Sequence, residues 1–314
     1  MKTILITGGS GFLGKELAKQ LKNDYRVILG ARNNGNNLFA KMETGCETIP
    51  LDIVNYAGLI DCLNEFKPEI IIHAAATKFV DISEVYPMEC IDINIIGSQN
   101  VARAAIEKGV ETVIGISTDK AAPPVGNIYG HSKAVMERLF SSMDKKSSTQ
   151  FACVRFGNIG WSTGSVFPIW QKMAKEKGKI ETTGPHMRRF FFTVKDAAGL
   201  VIRALNNIGK IHGGVLSLKM KAAQVEDLLN VWSESFGTPW EKIAERPGDK
   251  LDEVLIGQSE LVHTEILSLD GSEHYLLNFS NKYSSLTGDE IASYNAERLS
   301  KGEMIELIKS GLDK

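Results

Sequence analysis

Two short segments carry the side chains best suited to moving protons. Tyr129-Gly130-His131-Ser132-Lys133 sets a phenol and an amine one turn apart, so a helix would present both on the same face. An ammonium beside a phenol favours the phenolate. The expectation is a Tyr129 pKa lowered toward neutrality and a side chain that takes a proton from a substrate hydroxyl, with Lys133 as its partner. Shortly upstream stands Ser117-Thr118-Asp119-Lys120. Asp119 and Lys120 form an acid–base couple that simple hydride transfer does not require. Such a couple suits proton abstraction next to a transient ketone, followed by loss of a leaving group. Lys120 is the expected base, its pKa lowered by desolvation and neighbouring cations. A protonated Asp119 is the expected acid for the departing hydroxyl.

A glycine-rich turn opens the chain. Thr7-Gly8-Gly9-Ser10-Gly11-Phe12-Leu13-Gly14 follows an apolar run, with glycines at 8, 11 and 14. Missing side chains there allow a tight turn, a close backbone approach to a pyrophosphate and close helix packing. A helix starting in this turn offers its free N–H groups to the phosphates. Gly8, Ser10, Gly11, Phe12, Leu13 and Gly14 are therefore the expected dinucleotide cradle. The next strand ends in Gly30-Ala31-Arg32-Asn33, with no acid for a ribose 2′-hydroxyl. Arg32 suits a 2′-phosphate instead, which favours NADP. Ala74, Ala75 and Ala76 are small enough for the sheet edge to approach the cofactor.

These groups need a scaffold, and the apolar pattern supplies one. Strand-like runs at Thr3–Thr7, 26–30, 46–50, 69–73, Thr112–Ile116 and 151–155 alternate with helical patterns at Phe12–Leu21, Tyr56–Phe66, 89–108 and 129–143. Alternation of this kind implies βαβ units and a parallel sheet covered on both faces. Later elements are a helix at 168–177, a strand at 190–193, a helix at 195–206 and an amphipathic end at 303–308. The expected fold class is α/β: a Rossmann-like doubly wound parallel sheet with a smaller α/β C-terminal substrate lobe. Residues 1–160 would form the NADP-binding domain, with 190–215 returning to it, and 161–314 would be mainly the substrate-binding lobe. The cleft between them, beyond the strand ends, is the expected site.

Composition narrows the function. The 314 residues are 43% hydrophobic and 24% charged, with a formal net charge of −2. Interspersed charges give no basic face for nucleic acid or an anionic membrane. No apolar run is long enough to cross a bilayer, and the short run from Ile4 to Ile6 enters glycines, unlike a signal peptide. The four cysteines form no CxxC pair, which points to a reducing cytoplasm and against a zinc knuckle. No cluster has metal-ligand spacing, so no metal is expected.

At these residues the chain resembles the UDP-N-acetylglucosamine 4,6-dehydratases of the 5-inverting type, extended short-chain dehydrogenases that open pseudaminic acid biosynthesis. The similar blocks are 7–14, 73–80, 117–122, 129–133, 154–158, 164–168, 189–193 and 246–256, with Tyr283-Ser284-Ser285 near the end. The resemblance implies that Thr118 assists Tyr129, that Lys133 also holds the nicotinamide ribose, and that Asp52 and Ile53 contact adenine. It further implies that NADP+ takes hydride from C4, that Asp119 and Lys120 eliminate water across C5 and C6, and that reprotonation inverts C5. Asn158, Ile159, Ser165, Val166, Arg189, Arg246 and Asp249 would hold the nucleotide sugar, and Lys78 the cofactor or substrate. Arginines suit a diphosphate, which takes bidentate cationic partners. A homo-oligomer, dimer or hexamer, is implied too. The chain departs from the family in a slightly longer loop from Lys120 to Tyr129, in Asp249 for a usual Glu, in His186 for a common Arg, and at Trp161-Ser162-Thr163. Substrate identity therefore stays open to GDP-N-acetylglucosamine, and the reaction to 4-epimerisation or 4-keto reduction. A non-catalytic NADP sensor is the alternative from another class.

Overall fold

Thr3–Thr7 carries β-branched and leucine side chains on both faces, so it is stable as a strand only if both faces are covered. All five residues are buried. The computed structural model describes residues 1–244, 250–284, 286 and 288–312. Its strands β1 (Thr3–Thr7), β2 (Arg26–Ala31), β3 (Glu47–Pro50), β4 (Ile70–His73), β5 (Thr112–Ile116) and β6 (Gln150–Val154) pair in parallel in the order β3-β2-β1-β4-β5-β6. The order reverses between β1 and β4, which places the ligand crevice beyond their C-terminal ends.

Helices α1 (Phe12–Leu21), α2 (Asn34–Thr44) and α3 (Tyr56–Phe66) follow the first three strands. The expected helix at 89–108 is three pieces: after α4 (Val80–Val85) come α5 (Pro87–Ile91), a π-helical turn Asp92–Ile96, and α6 (Gly97–Lys108). Then α7 (Ile128–Asp144) carries Tyr129 and Lys133. Helix α2 was not expected. Its Asn- and Gly-rich sequence buries only Asn37, Ala40 and Thr44, and it forms because the Asn33 side chain accepts from Asn36 N–H and Gly45 ends it at φ +73°.

Past β6 come β7 (Asn158–Ile159), α8 (Val166–Lys177), β8 (Ile180–Thr182), β9 (Arg188–Phe192), α9 (Val194–Asn206) and a short helix α10 (Ile208–Ile211). Next are β10 (Val215–Leu218), β11 (Ala222–Gln224), α11 (Val225–Phe236), β12 (Trp240–Lys242) and β13 (Val254–Ile256). The chain closes with β14 (Thr264–Leu269), β15 (Ser272–Leu277), β16 (Ile291–Ala292) and α12 (Lys301–Lys309). β10 joins β6 in parallel, and β15 and β14 continue antiparallel, giving nine strands. One face of the sheet packs on α1 and α9 (Leu17, Ala18, Val201, Leu205). The other packs on α3, α6 and α7 (Leu59, Leu63, Val101, Phe140). A third apolar cluster joins Trp161, α8, α11 and α12 through Phe167, Trp170, Trp232 and Leu307. The fold is α/β and Rossmann-like, with a smaller α/β layer at its C-terminal side. No helix among the described residues is long and apolar enough to cross a membrane.

Candidate active site

The glycine cradle is built on backbone contacts that tolerate no side chain. Gly8 has φ +69°, and a Cβ there would lie 2.7 Å from the Ala75 nitrogen and 2.9 Å from the Ala74 carbonyl carbon. At Gly14 a Cβ would come within 2.6 Å of the Gly9 carbonyl oxygen. Gly11 caps α1 with no side-chain hydrogen bond, so the first N–H groups of the helix are offered to a ligand. Ser10 and Leu13 lie in this turn, and Phe12 packs toward the third apolar cluster. Ala74, Ala75 and Ala76 are half-buried against the turn, while Arg32 and Asp52 are exposed beyond β2 and β3. Asp52 Oδ1 accepts from Val54 N–H. Ile53 is buried beneath Gly97. A turn with glycine at its closest backbone approaches and uncapped N–H groups at the start of α1 fits a dinucleotide.

A relay of buried polar groups ties the cradle to the helix behind it. Thr7 Oγ1 accepts from Ala75 N–H at 3.3 Å and lies 2.8 Å from His73 Nδ1. His73 Nε2 lies 3.0 Å from Ser98 Oγ, which donates to the Asn94 carbonyl. With every hydroxyl donating onward, His73 carries its proton on Nε2 and is neutral. Burial agrees, lowering its pKa to about 3. Asn94, in the π-helical turn, accepts from Thr77 N–H and donates to the Thr77 carbonyl and to Ser132 Oγ on α7.

Beyond β5 the structure brings together Thr118, Asp119, Lys120, Tyr129 and an acid from far along the chain, Glu253. Thr118 Oγ1 donates to Asp119 Oδ1 at 3.0 Å, and the same oxygen accepts from Lys120 Nζ at 3.1 Å. Lys120 Nζ also meets Glu253 Oε1 at 3.3 Å. Asp119 Oδ2 is buried without a partner, an acceptor left for a ligand. Helix α7 can approach this turn because position 130 is glycine: a Cβ there would fall 2.2 Å from the Lys120 carbonyl oxygen.

Two electrostatic expectations are reversed. Burial raises the Tyr129 phenol to about 12; the Lys120 ammonium and the hydrogen bond with Thr118 pull it down but do not prevail. Burial by itself would lower Lys120, yet the Asp119 and Glu253 carboxylates outweigh it and hold the ammonium above an ordinary lysine. Among the described residues the Arg189 guanidinium also lowers Lys120, with a smaller effect than the carboxylates. Lys133 is different. Burial lowers it to about 8, and its Nζ contacts the Met136 sulfur at 3.3 Å.

Asn158 and Ile159 form β7, paired with the Phe191–Phe192 end of β9. Arg189 on β9 donates to the carbonyls of Leu251 and Lys250 and approaches Glu253 Oε1 at 3.8 Å. Ser165 precedes α8 with its Oγ unpartnered, and Val166 is the first helical residue. Lys78 is exposed, its ammonium 5.6 Å from the Phe79 ring centre. Arg246 and Asp249 lie outside the described residues. Glu253 received no role from the sequence; its only signal was a place in the acidic run that follows Arg246.

The sequence profile of the polysaccharide biosynthesis protein family matches residues 4–269. The chain belongs to this family. Relatives include the capsular polysaccharide biosynthesis protein CapD of Staphylococcus aureus, 32% identical over 96% of this chain and 52% of that protein. The inverting UDP-N-acetylglucosamine 4,6-dehydratase of Campylobacter jejuni is 32% identical over 99% of this chain and 91% of that protein. The UDP-glucose 4-epimerase of Rickettsia bellii is 32% identical over 98% and 95%. The chain thus spans about half the length of some relatives, such as CapD, and nearly all of others. Among solved structures, Pen from Bacillus thuringiensis superposes with a TM-score of 0.89 at 30% identity, covering 99% of this chain and 98% of that one. UDP-glucose 4-epimerase of Thermotoga maritima shares the fold, with a TM-score of 0.72 at 22% identity over 79% of this chain and 88% of its own.

Proposed function

We propose that this family member is an NADP-dependent sugar-nucleotide 4,6-dehydratase that converts UDP-N-acetylglucosamine to a UDP-linked 4-keto-6-deoxy sugar with inversion at C5. The observation that carries the reading is the Asp119–Lys120 pair, hydrogen-bonded at 3.1 Å beside Thr118 and Tyr129, with Asp119 Oδ2 buried and unpartnered. When bound, the dinucleotide supplies reversible hydride transfer at C4 and C6. The cradle Gly8–Gly14 with Ala74–Ala76 would hold it, Arg32 would meet its 2′-phosphate, and Lys133 its ribose hydroxyls. Tyr129 takes the C4 hydroxyl proton, with Thr118 keeping the phenol in place. Because the free phenol is held at about 12, this step relies on nearby positive charge, and Lys120 supplies part of it. With a ketone at C4 the C5 proton becomes acidic. The Lys120 ammonium passes its proton to Asp119 across their 3.1 Å hydrogen bond, and the amine so freed removes the C5 proton. The protonated Asp119 gives its proton to the leaving C6 hydroxyl, which restores the ion pair. Asn158, Ile159, Ser165, Val166, Arg189 and Lys78 would bind the nucleotide sugar. A homo-oligomer in the cytoplasm, with residues 161–314 mainly on the substrate side, completes the proposal.

The second reading is a 4-epimerase. It is favoured by the Rickettsia relatives of that name and by the protonated state of Lys120 in the free site, since a 4-epimerase needs no base at C5. The deciding experiment feeds UDP-N-acetylglucosamine and catalytic NADP+ to the protein in deuterated water. Mass and proton NMR spectra showing loss of water and deuterium at C5 support dehydration, and the coupling constants give the C5 configuration. An isomer of unchanged mass overturns the role given to Asp119 and Lys120. Unchanged substrate overturns the choice of UDP-N-acetylglucosamine, and GDP-N-acetylglucosamine is then the next donor to assay.

A further inference from the structure

Lys120 is gripped from two distant parts of the chain. Asp119, its neighbour, is fixed by Thr118 and by its own N–H donating to the Phe156 carbonyl. Glu253 reaches the same ammonium from the far segment, and its Oε1 is shared with Arg189 Nε at 3.8 Å. Glu253 is only 7% exposed. Its N–H donates to Ser293 Oγ, and Ser293 N–H donates back to the Glu253 carbonyl. Ser293 Oγ has both Asp252 Oδ1 and the Arg188 carbonyl within reach as acceptors for its one proton. The carboxylate is thus delivered by a rigid corner where β13 meets β16, not by a wandering surface side chain. Among the described residues, the charged and titratable groups facing Lys120 are Asp119, Glu253, Arg189 and Tyr129.

We propose that Glu253 is a positioning residue that acts through Lys120: from its fixed corner it holds the ammonium against Asp119, in line with the carboxylate oxygen that takes its proton. The bearing on turnover rests on the dehydratase reading, whereas the holding of Lys120 does not. Two carboxylates on one buried amine stabilise its charged form. When the proton passes from Lys120 to Asp119 Oδ1, Glu253 keeps the amine in place and the unpartnered Asp119 oxygen stays available.

Competitive acetylation of the full-length protein, read by peptide mass spectrometry across pH, tests this without any substrate. The midpoint of each lysine's profile reports its ionisation, and the plateau reports its access. Lys172, whose side chain is 73% exposed, serves as the internal standard. In the unaltered protein the Lys120 midpoint is expected above that of Lys172. Glu253→Gln should lower it by about one pH unit or more, the size of an opposite charge at contact distance, and Glu253→Asp should restore part of the shift. Overlapping Lys120 profiles in Glu253→Gln and the unaltered protein, with unchanged circular dichroism, would overturn the proposal. So would a Lys120 midpoint at or below that of Lys172 in the unaltered protein, a result that stands even if the variants fail to fold. If dehydration is observed, the pH–rate limb set by Lys120 should shift downward in Glu253→Gln; an unmoved limb counts against the proposal. Absence of dehydration with the labelling shift intact sinks the dehydratase reading alone.

Discussion

Lys120 and Lys133 are both enclosed, yet only Lys120 has carboxylates in contact. Lys133 has a thioether sulfur at 3.3 Å and the more distant charge of Glu137, so burial lowers its pKa from 10.5 to about 8. Between those values the unfolded chain binds a proton that the folded chain does not, so stability rises with pH across that window. Below pH 8 the folded protein carries the buried charge at a cost on the order of 3 kcal/mol. Lys133→Met should therefore raise the melting temperature of the ligand-free protein at pH 7 while weakening dinucleotide binding, a trade of stability for function. The gain should shrink as pH climbs from 8 toward 10.5. Thermal melts at pH 7 and pH 10 check this, and an equal gain at both would show that Lys133 does not titrate in that window.

At the scale of elements, the His73 relay joins β1, β4, the π-helical turn and α7. Its neutrality has a thermodynamic signature. The His73 pKa falls from 6.5 in the unfolded chain to about 3 when folded, so the stability it contributes is complete above pH 6.5 and is lost as pH falls toward 3. The loss approaches about 1.4 kcal/mol per pH unit inside that window. His73→Phe should be less stable at neutral pH, because Thr7 and Ser98 lose a partner, but flatter between pH 6.5 and 4; parallel melting curves would contradict this. Much of this layer is legible in sequence. The short β-branched run 70–73, set after Pro68, reads as a buried strand, and the periodic Tyr56–Phe66 as a helix. Helix α2 is not legible, because its buried positions 37, 40 and 44, though at helical spacing, are Asn, Ala and Thr and give no apolar stripe. Nor is the π-helical turn, which changes hydrogen-bond partners without changing composition. The Tyr129 and Lys120 neighbourhood is legible from spacing, but its charge balance is not, since Glu253 arrives from beyond β12.

Across the whole molecule, one buried cation ties three regions together. Arg155, fully enclosed, donates to Glu137 on α7, to Glu260, and to the Leu255 carbonyl. Glu137 also accepts from Ser117, at the head of the Thr118–Lys120 segment. Arg155→Met would strand two buried carboxylates and should destabilise the fold by about 3–5 kcal/mol, read as a lower midpoint in urea. A loss below 1 kcal/mol would mean the carboxylates find other partners. The grip on Lys120 has the same long reach, and this bears on how the protein is made. Strands β1 to β6 are local βαβ units that can pair while the chain is still on the ribosome, since domains tend to fold from the N-terminal side as they emerge. Glu253 and its Ser293 clamp are translated after all six of these strands. A nascent chain would therefore hold a formed nucleotide cradle while Lys120 had only Asp119 for company, and the acid–base centre would be completed only once Ser293 had emerged.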